Sequence, residues 1–153
     1  MQRAKQKVLC GADVLARDGF DFKGKCGLIT NPTGVLRDLS STVDMLNGRC
    51  ELKALFAPEH GVRGDVQAGE NISFYKDEKT NLPVYSLFSD DISEAEEKLA
   101  SLDTVIFDIQ DVGARFYTYA YTMTDAMKLC ARHGIRFVVL DRPNPLGGIK
   151  AEG

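Results

Sequence analysis

A glutamate and a histidine follow an apolar run in the segment LFAPEHGVRGD, at Glu59 and His60, and Arg63 comes three residues after the histidine. A carboxyl group at the rim of a strand can act as a general acid when apolar surroundings raise its pKa. The mixture of charges in a short segment favours a catalytic Glu59 over an ordinary exposed loop glutamate. For His60 two interpretations stay open, a part in catalysis or a hydrogen bond to a backbone carbonyl.

A second apolar run ends in two aspartates, Asp108 and Asp111. Because a helix N-terminus favours negative charge, Asp111 is predicted to cap or orient the following helix, and Asp108 is predicted to face the crevice. Arg115 and Tyr117 follow them, and Tyr121 lies four residues after Tyr117. Aromatic rings at this spacing are predicted to share one face of a helix, and they either stack on a sugar or simply pack against the protein.

A third cluster closes the last apolar run and contains Asp141, Arg142 and Asn144. Pro143 and Pro145 alternate with these residues. Proline fixes the backbone angle φ, so the segment is predicted to be an ordered binding loop. The alternative is that Asp141 and Arg142 form a purely structural pair.

The apolar runs that carry these clusters have the length and composition of β-strands. Strands are predicted at residues 27–30, 52–57, 82–85, 104–108 and 136–140. The first is followed by Asn31. A parallel α/β sheet gathers the ends of its strands along one edge, where ligands bind, so the pattern predicts an enzyme site there.

Helical patterns separate the strands. Helices are predicted at residues 40–47, from Ser93 onward with Ser93 as the cap, and at residues 115–132. The last has an apolar stripe that is predicted to be core packing, formed by Phe116, Ala120, Met123, Met127 and Cys130. The long connection between the second and third strands is predicted to be functional.

This alternation predicts an α/β fold, with a mostly parallel Rossmann-like sheet, helices on both faces and three layers. The first strand is not followed by a GxGxxG sequence; its turn contains Pro32 and Gly34 instead. Such a turn is not a dinucleotide phosphate cradle, so no cofactor is predicted. The same absence counts against a phosphate or nucleotide enzyme on this fold.

Charge and composition exclude several partners. The chain has 153 residues, with 19 basic against 22 acidic side chains, which is not the basic footprint of a nucleic-acid-binding protein. It contains neither a run of about 20 apolar residues for a membrane span nor the apolar segment of a signal peptide. Its four cysteines are widely spaced, and Glu59, His60 and Asp65 fit an ordinary polar loop, so no metal site is predicted.

Four segments together resemble one known family: GLITNPTGV, LFAPEHGVRGD, VIFDIQDVGARFYTY and VLDRPNPLGG. The family was first known only as the domain of unknown function DUF1343, and its characterised members are exo-β-N-acetylmuramidases of the NamZ type. The resemblance extends from about Gly11 to the end of the sequence.

The resemblance implies a glycosidase that releases N-acetylmuramic acid from the non-reducing end of peptidoglycan fragments. It also implies export to the periplasm or secretion. The candidate catalytic residues are Glu59, Asp108 and His60. The candidates for binding the muramyl saccharide are Asn31, Arg63, Asp111, Arg115, Tyr117, Asp141, Arg142 and Asn144.

Glycosidases commonly use two carboxyl groups, about 5 Å apart for retention and roughly 6.5 to 9.5 Å apart for inversion. The second group and the stereochemical outcome stay open at the level of sequence. Muramic acid also carries a lactyl carboxylate, which Arg63, Arg115 or Arg142 could bind through two parallel hydrogen bonds.

The sequence stops at GIKAEG, where members of the family continue into a second domain. Residues 1–153 are therefore expected to be a Rossmann-like N-terminal domain that is truncated before a C-terminal domain. If the crevice is shared between the two domains, such a fragment is expected to fold but to lack activity. It is also expected to expose an apolar surface through which it could dimerise. A peptidoglycan-binding or amino-sugar-binding module without catalysis is the alternative function.

Overall fold

A computed structural model describes residues 8–58, 61–64, 74–87, 91–147 and 150. Within them, six strands form one sheet in the order β3-β4-β2-β1-β5-β6. The strands are β1 Lys25–Thr30, β2 Glu51–Ala57, β3 Phe74–Lys76, β4 Pro83–Ser86, β5 Thr104–Asp108 and β6 Arg136–Val139. The helices are α1 Gly11–Asp18, α2 Thr42–Asn47, α3 Ser93–Ala100 and α4 Tyr119–His133.

Helices cover both faces of the sheet. On one face Leu28 packs with residues of α1 and α2, such as Leu15 and Leu46. On the other face Ile29 packs with residues of α3 and α4, such as Leu99. Neighbouring residues of β1 face opposite sides because side chains alternate along a strand. The predicted three-layer α/β fold is confirmed.

The sheet is parallel except at β3, which pairs antiparallel with β4. The chain builds the sheet outward from β1 in one direction through β2 and β4, then returns to the other side of β1 with β5. The strand order therefore reverses between β1 and β5. In open α/β sheets a crevice forms at such a reversal, at the carboxyl ends of the strands.

The predicted start of the last helix was wrong. α4 begins at Tyr119, four residues later than predicted, and Phe116 precedes it with 96% of its side chain exposed. The face of α4 that enters the core carries Ala126, Leu129 and Cys130. Of the predicted stripe, Cys130 is buried and Met123 packs against the core, whereas Phe116, Ala120 and Met127 are exposed.

Two short elements were not predicted, α1 and β3. The predicted cap of α3 was also wrong: Ile92 is the N-cap, and the Ser93 amide donates to Asp91 Oδ1 at 2.9 Å. α4 ends at Gly134, which has the left-handed conformation that terminates helices. In the described part of the chain, no helix is both long enough and apolar enough to cross a bilayer.

Candidate active site at the carboxyl edge of the sheet

β1 and β5, between which the strand order reverses, are in direct contact at their carboxyl ends. Thr30 and Asp108 are paired in register at the ends of the two strands, and the Thr30 hydroxyl donates to the Asp108 carbonyl at 2.8 Å. Both side chains are buried. Gly34 lies against this contact, since a Cβ placed on it would be 2.1 Å from Thr30 Oγ1. The floor of the crevice is therefore rigid and tightly packed.

The loop after β1 is held by Asn31, whose side chain is buried. Asn31 Oδ1 accepts hydrogen bonds from the Thr33 amide at 3.0 Å and the Thr33 hydroxyl at 2.5 Å. Thr33 Oγ1 in turn accepts from the Gln110 amide at 2.9 Å, which links the loops after β1 and β5. Sequence reasoning identified Asn31 but missed Thr33 and Gln110, because their contact joins residues that are far apart in the chain.

Gln110 also links the loop after β5 to the loop after β6. Its Nε2 donates to the carbonyls of Asp111 at 2.7 Å and Pro143 at 3.1 Å. Asn144 lies close to Gly113, where an added Cβ would be 2.6 Å from Asn144 Nδ2. Three of the loops with predicted site residues are thus joined into one surface.

Asp111 organises its own loop and does not cap α4. Its Oδ1 accepts from the Gly113 amide at 2.7 Å, and α4 starts after Thr118 as its N-cap. Asn144 has a similar local role, since its Oδ1 accepts from the Leu146 amide at 2.9 Å. Asp111 and Asn144 both lie on the candidate surface, and each uses its Oδ1 atom to hold a local turn.

Asp108 does not face the crevice, contrary to the sequence prediction. Its side chain is fully buried and accepts two hydrogen bonds from Arg142, at 2.6 Å from Nε and 2.9 Å from Nη2. Arg142 also donates to the Val35 carbonyl at 2.8 Å. Burial acts to lower the pKa of Arg142, but the bonds and charge of Asp108 raise it above its ordinary value. Asp108 is therefore placed to position the loop, and the pairing of Arg142 with its neighbour Asp141 is not seen.

Arg63 lies in a second network of charges. It donates to Asp77 at 2.5 and 3.0 Å and to Asp44 at 2.9 Å. The hydrogen bonds from Arg63 lower the pKa of Asp77 to about 2. Lys79 donates to the other oxygen of Asp44 at 2.5 Å. Arg63 is therefore engaged in fixing the segment 61–64 to the turn between β3 and β4.

The loop before α4 presents free side chains to solvent. Arg115 is exposed and makes no hydrogen bond or ion pair to any described residue. Tyr117 is 47% exposed and its ring lies 5.9 Å from that of Tyr119. Tyr121 is 68% exposed in the first turn of α4. Since Tyr117 precedes the helix, the two tyrosines do not share a helical face as predicted.

Asp141 is exposed at the end of β6, and within the described ranges its carboxylate has no hydrogen-bond partner. The Asp141 carbonyl accepts from the Gly11 amide at 2.6 Å, which anchors this loop to α1. The remaining predictions, Glu59 and His60, lie outside the described residues, as does Asp65. The described chain before them ends with β2 and the buried Pro58.

Metal ligation finds no support in the described ranges, where no group of three His, Cys, Asp or Glu side chains could hold an ion. A groove of about 550 Å³ lies between β4 and α3, lined by Phe74, Tyr85, Glu94, Glu97, Lys98 and Ser101. None of the predicted site residues within the described part of the chain lines this groove.

The fold and the edge together define an α/β domain of the Rossmann-like kind, with a polar surface at the reversal of strand order. The chain belongs to the family described as exo-beta-N-acetylmuramidase NamZ, N-terminal, whose model matches residues 26–153. The resemblance found in the sequence is therefore confirmed.

Individual relatives agree with this family. The peptidoglycan beta-N-acetylmuramidase NamZ of Bacillus subtilis (strain 168) is 54% identical over 97% of this chain and 37% of the relative. A crystal structure of a DUF1343 family protein from Bacteroides fragilis NCTC 9343 has a TM-score of 0.83 and 46% identity, covering 95% of this chain and 37% of that one. A second from the same organism has a TM-score of 0.69 and 33% identity, covering 92% and 36%. The chain thus spans little more than a third of each relative.

Proposed function

We propose that this chain provides the catalytic edge of an exo-acting β-N-acetylmuramidase, which releases N-acetylmuramic acid from the non-reducing end of peptidoglycan fragments. The observation that carries the proposal is the 54% identity with the Bacillus subtilis enzyme over 97% of the chain. The joined loops at the strand reversal support it, because ligands of α/β sheets bind there.

Glycoside hydrolysis needs a carboxylic acid to protonate the leaving oxygen and a second group to act on the anomeric carbon or on water. We propose Glu59 as the acid, since it comes two residues after the end of β2 in the sequence. A nearby carboxylate must stay ionised while this acid stays protonated, and different surroundings separate the two pKa values.

Asp108 is a poor choice for the second group, because Arg142 occupies both of its oxygens in a buried pair. Asp141 and Asp111 are better ones. Asp141 has no partner among the described residues, and Asp111 uses one oxygen to hold the Gly113 amide. We propose that one of these two carboxylates completes the machinery. Replacing each by asparagine tests this, since the group that acts directly will reduce kcat far more than the other.

Asn31 has the geometry of a substrate-binding residue. Its Oδ1 is fixed by Thr33, while its amide nitrogen makes no hydrogen bond to another described residue. A fixed amide donor at the strand reversal suits a hydroxyl or acetamido oxygen of the sugar. The variant N31D keeps the acceptor for Thr33 and removes the donor, so we expect KM to rise while the fold is retained.

Hydrolysis of para-nitrophenyl N-acetylmuramide tests the proposal. It is measured with this chain and with a chimera that continues into the remaining sequence of the Bacillus subtilis relative, each with E59Q. The matched control is E78Q, a change of an exposed glutamate in the turn after β3. We expect activity in the chimera that E59Q abolishes and E78Q retains. Saturable binding of N-acetylmuramic acid without turnover would instead favour the non-catalytic binding module.

We further propose that the protein acts in the periplasm or outside the cell, where peptidoglycan fragments arise. Fractionation of the source cells with an antibody against the chain tests this. Recovery in the cytoplasmic fraction alone would contradict it.

A further inference from the structure

We infer that Arg115, at the tip of a β-turn before α4, binds the lactyl carboxylate of the muramyl sugar and so sets the preference for muramic acid over glucosamine. This inference rests on the proposed function. The turn is closed by the Tyr117 amide, which donates to the Ala114 carbonyl at 3.0 Å. Arg115 and Phe116 occupy its two corner positions, where side chains project from the turn.

The other two candidate arginines are already occupied by carboxylates of the protein. Arg142 is paired with Asp108 and only 7% of its side chain is exposed. Arg63 donates to both Asp77 and Asp44. A bidentate hold on a substrate would require either arginine to release a buried aspartate, which is costly. Arg115 has no such partner among the described residues.

The neighbour of Arg115 matches the other half of the lactyl group. Phe116 is 96% exposed, although a ring of this size normally buries most of its area. A lactyl group carries a methyl beside its carboxylate. A guanidinium that binds the carboxylate and a ring that covers the methyl would therefore recognise the group as a whole.

The turn belongs to the joined surface of the candidate site. It follows Gly113, whose amide is held by Asp111 and which lies against Asn144. An anion bound by Arg115 would thus be near the loops after β5 and β6, on which the candidate second carboxylates lie.

One more exposed arginine lies at this edge of the sheet and provides a control. Arg37, on the loop after β1, has its amide bonded to Asp13 Oδ1 at 2.9 Å, while its side chain makes no hydrogen bond within the described residues. No aromatic residue flanks it in the sequence. R37M therefore removes one positive charge from this edge of the sheet but leaves Arg115 and Phe116 unchanged.

The test compares binding of N-acetylmuramic acid, its methyl ester and N-acetylglucosamine by titration calorimetry. It uses this chain and the chimera, each as wild type, R115M, R115K and R37M. We expect the wild type to bind the free acid about tenfold more tightly than the ester, as for charge-assisted hydrogen bonds at a partly exposed site. R115M should reduce this ratio to about one, R115K should retain part of it, and R37M should leave it unchanged. F116A should weaken the acid and the ester alike but not N-acetylglucosamine.

The results separate this inference from the proposed function. The assignment of Arg115 is overturned if the ratio of the affinities for the acid and the ester is unchanged in R115M or falls in R37M. Muramidase activity in the hydrolysis assay would still support the proposed function. A wild type that shows no preference for the acid also overturns it. If neither protein binds or cleaves a muramyl sugar, the proposed function fails together with the inference. Unfolding temperatures of the variants show whether a loss of binding comes from the site or from the fold.

Discussion

Arg142 donates two hydrogen bonds to the buried carboxylate of Asp108, across 34 positions of sequence. The pair joins the end of β5 to the loop after β6, and a third bond from Arg142 reaches the loop after β1. A charge pair in this position holds together the loops that carry the candidate site residues. A change that breaks the pair of Asp108 and Arg142 should therefore lower both the stability and the activity of the protein.

Removing one partner of the buried pair should be strongly destabilising. D108N leaves the Arg142 guanidinium without a counter-charge, for an expected loss of about 3 to 5 kcal/mol in the free energy of unfolding. The double variant D108N/R142Q should lose less than the sum of the two single variants, since neither charge is then left alone. Urea unfolding of all four proteins measures this. Additive losses would show that the two side chains do not interact in solution.

Acid should weaken the network around Arg63. The pKa of Asp77 is lowered from 3.8 to about 2, so its ion pair stabilises the fold fully above pH 3.8 and is lost as the pH falls toward 2. The difference corresponds to about 2 kcal/mol. We expect D77N to be less stable than the wild type at pH 7, with the gap narrowing by about this amount near pH 2. Glu78, exposed beside it, provides the control E78Q, which should not change the acid dependence. Parallel stability curves of D77N and wild type between pH 5 and 2 would refute the prediction.

The packing at Gly34 should not accept a methyl group. A Cβ there would be 2.1 Å from Thr30 Oγ1 and 3.3 Å from the Asp108 carbonyl oxygen. We expect G34A to lose about 1 to 3 kcal/mol of stability and to impair sugar binding, because the floor of the crevice must shift. In G48A the nearest atom is 3.8 Å from the added Cβ, so this variant should stay within about 0.5 kcal/mol of the wild type. Equal stability of the two variants would contradict the tight packing.

Cysteines with a raised pKa should react slowly in the folded protein. Burial raises the pKa of Cys50 from 9.0 to about 12 and that of Cys130 to about 11. Because the thiolate is the reactive form, iodoacetamide at pH 8 should modify Cys50 on the order of a thousandfold more slowly than in the unfolded chain. Mass spectrometry of timed samples with and without urea measures the ratio. Equal rates in both states would contradict the raised pKa of Cys50.

Sequence patterns predicted the strands of the parallel sheet because these strands are continuous apolar runs bounded by polar turns. They did not predict α1 or β3. α1 has a long capping bond, from the Cys10 amide to Asp13 Oδ2 at 3.4 Å, and its buried residues Ala12 and Leu15 pack in the core. β3 has three residues and exists through its pairing with β4. Both elements are stabilised by tertiary contacts, so local sequence patterns did not predict them.

The sequence predicted where the candidate site lies, but not which of its residues form hydrogen bonds and ion pairs with one another. That polar residues follow the strand ends is visible in the sequence, and the parallel sheet brings them to one edge. The pairing of Asp108 with Arg142, rather than of Asp141 with its neighbour, follows from the adjacency of β5 and β6. The helical spacing around Phe116 was misleading, because the residues before α4 form a turn that exposes the ring.

The most direct test of the account uses two disaccharides that differ only in the order of their sugars. The chimera is incubated with N-acetylmuramyl-β-1,4-N-acetylglucosamine and, separately, with N-acetylglucosaminyl-β-1,4-N-acetylmuramic acid, and the released sugars are identified by mass spectrometry. We predict release of N-acetylmuramic acid from the first, no cleavage of the second, and no cleavage of either by E59Q. Cleavage of both disaccharides at similar rates, or of the second alone, would contradict an exo-acting muramidase.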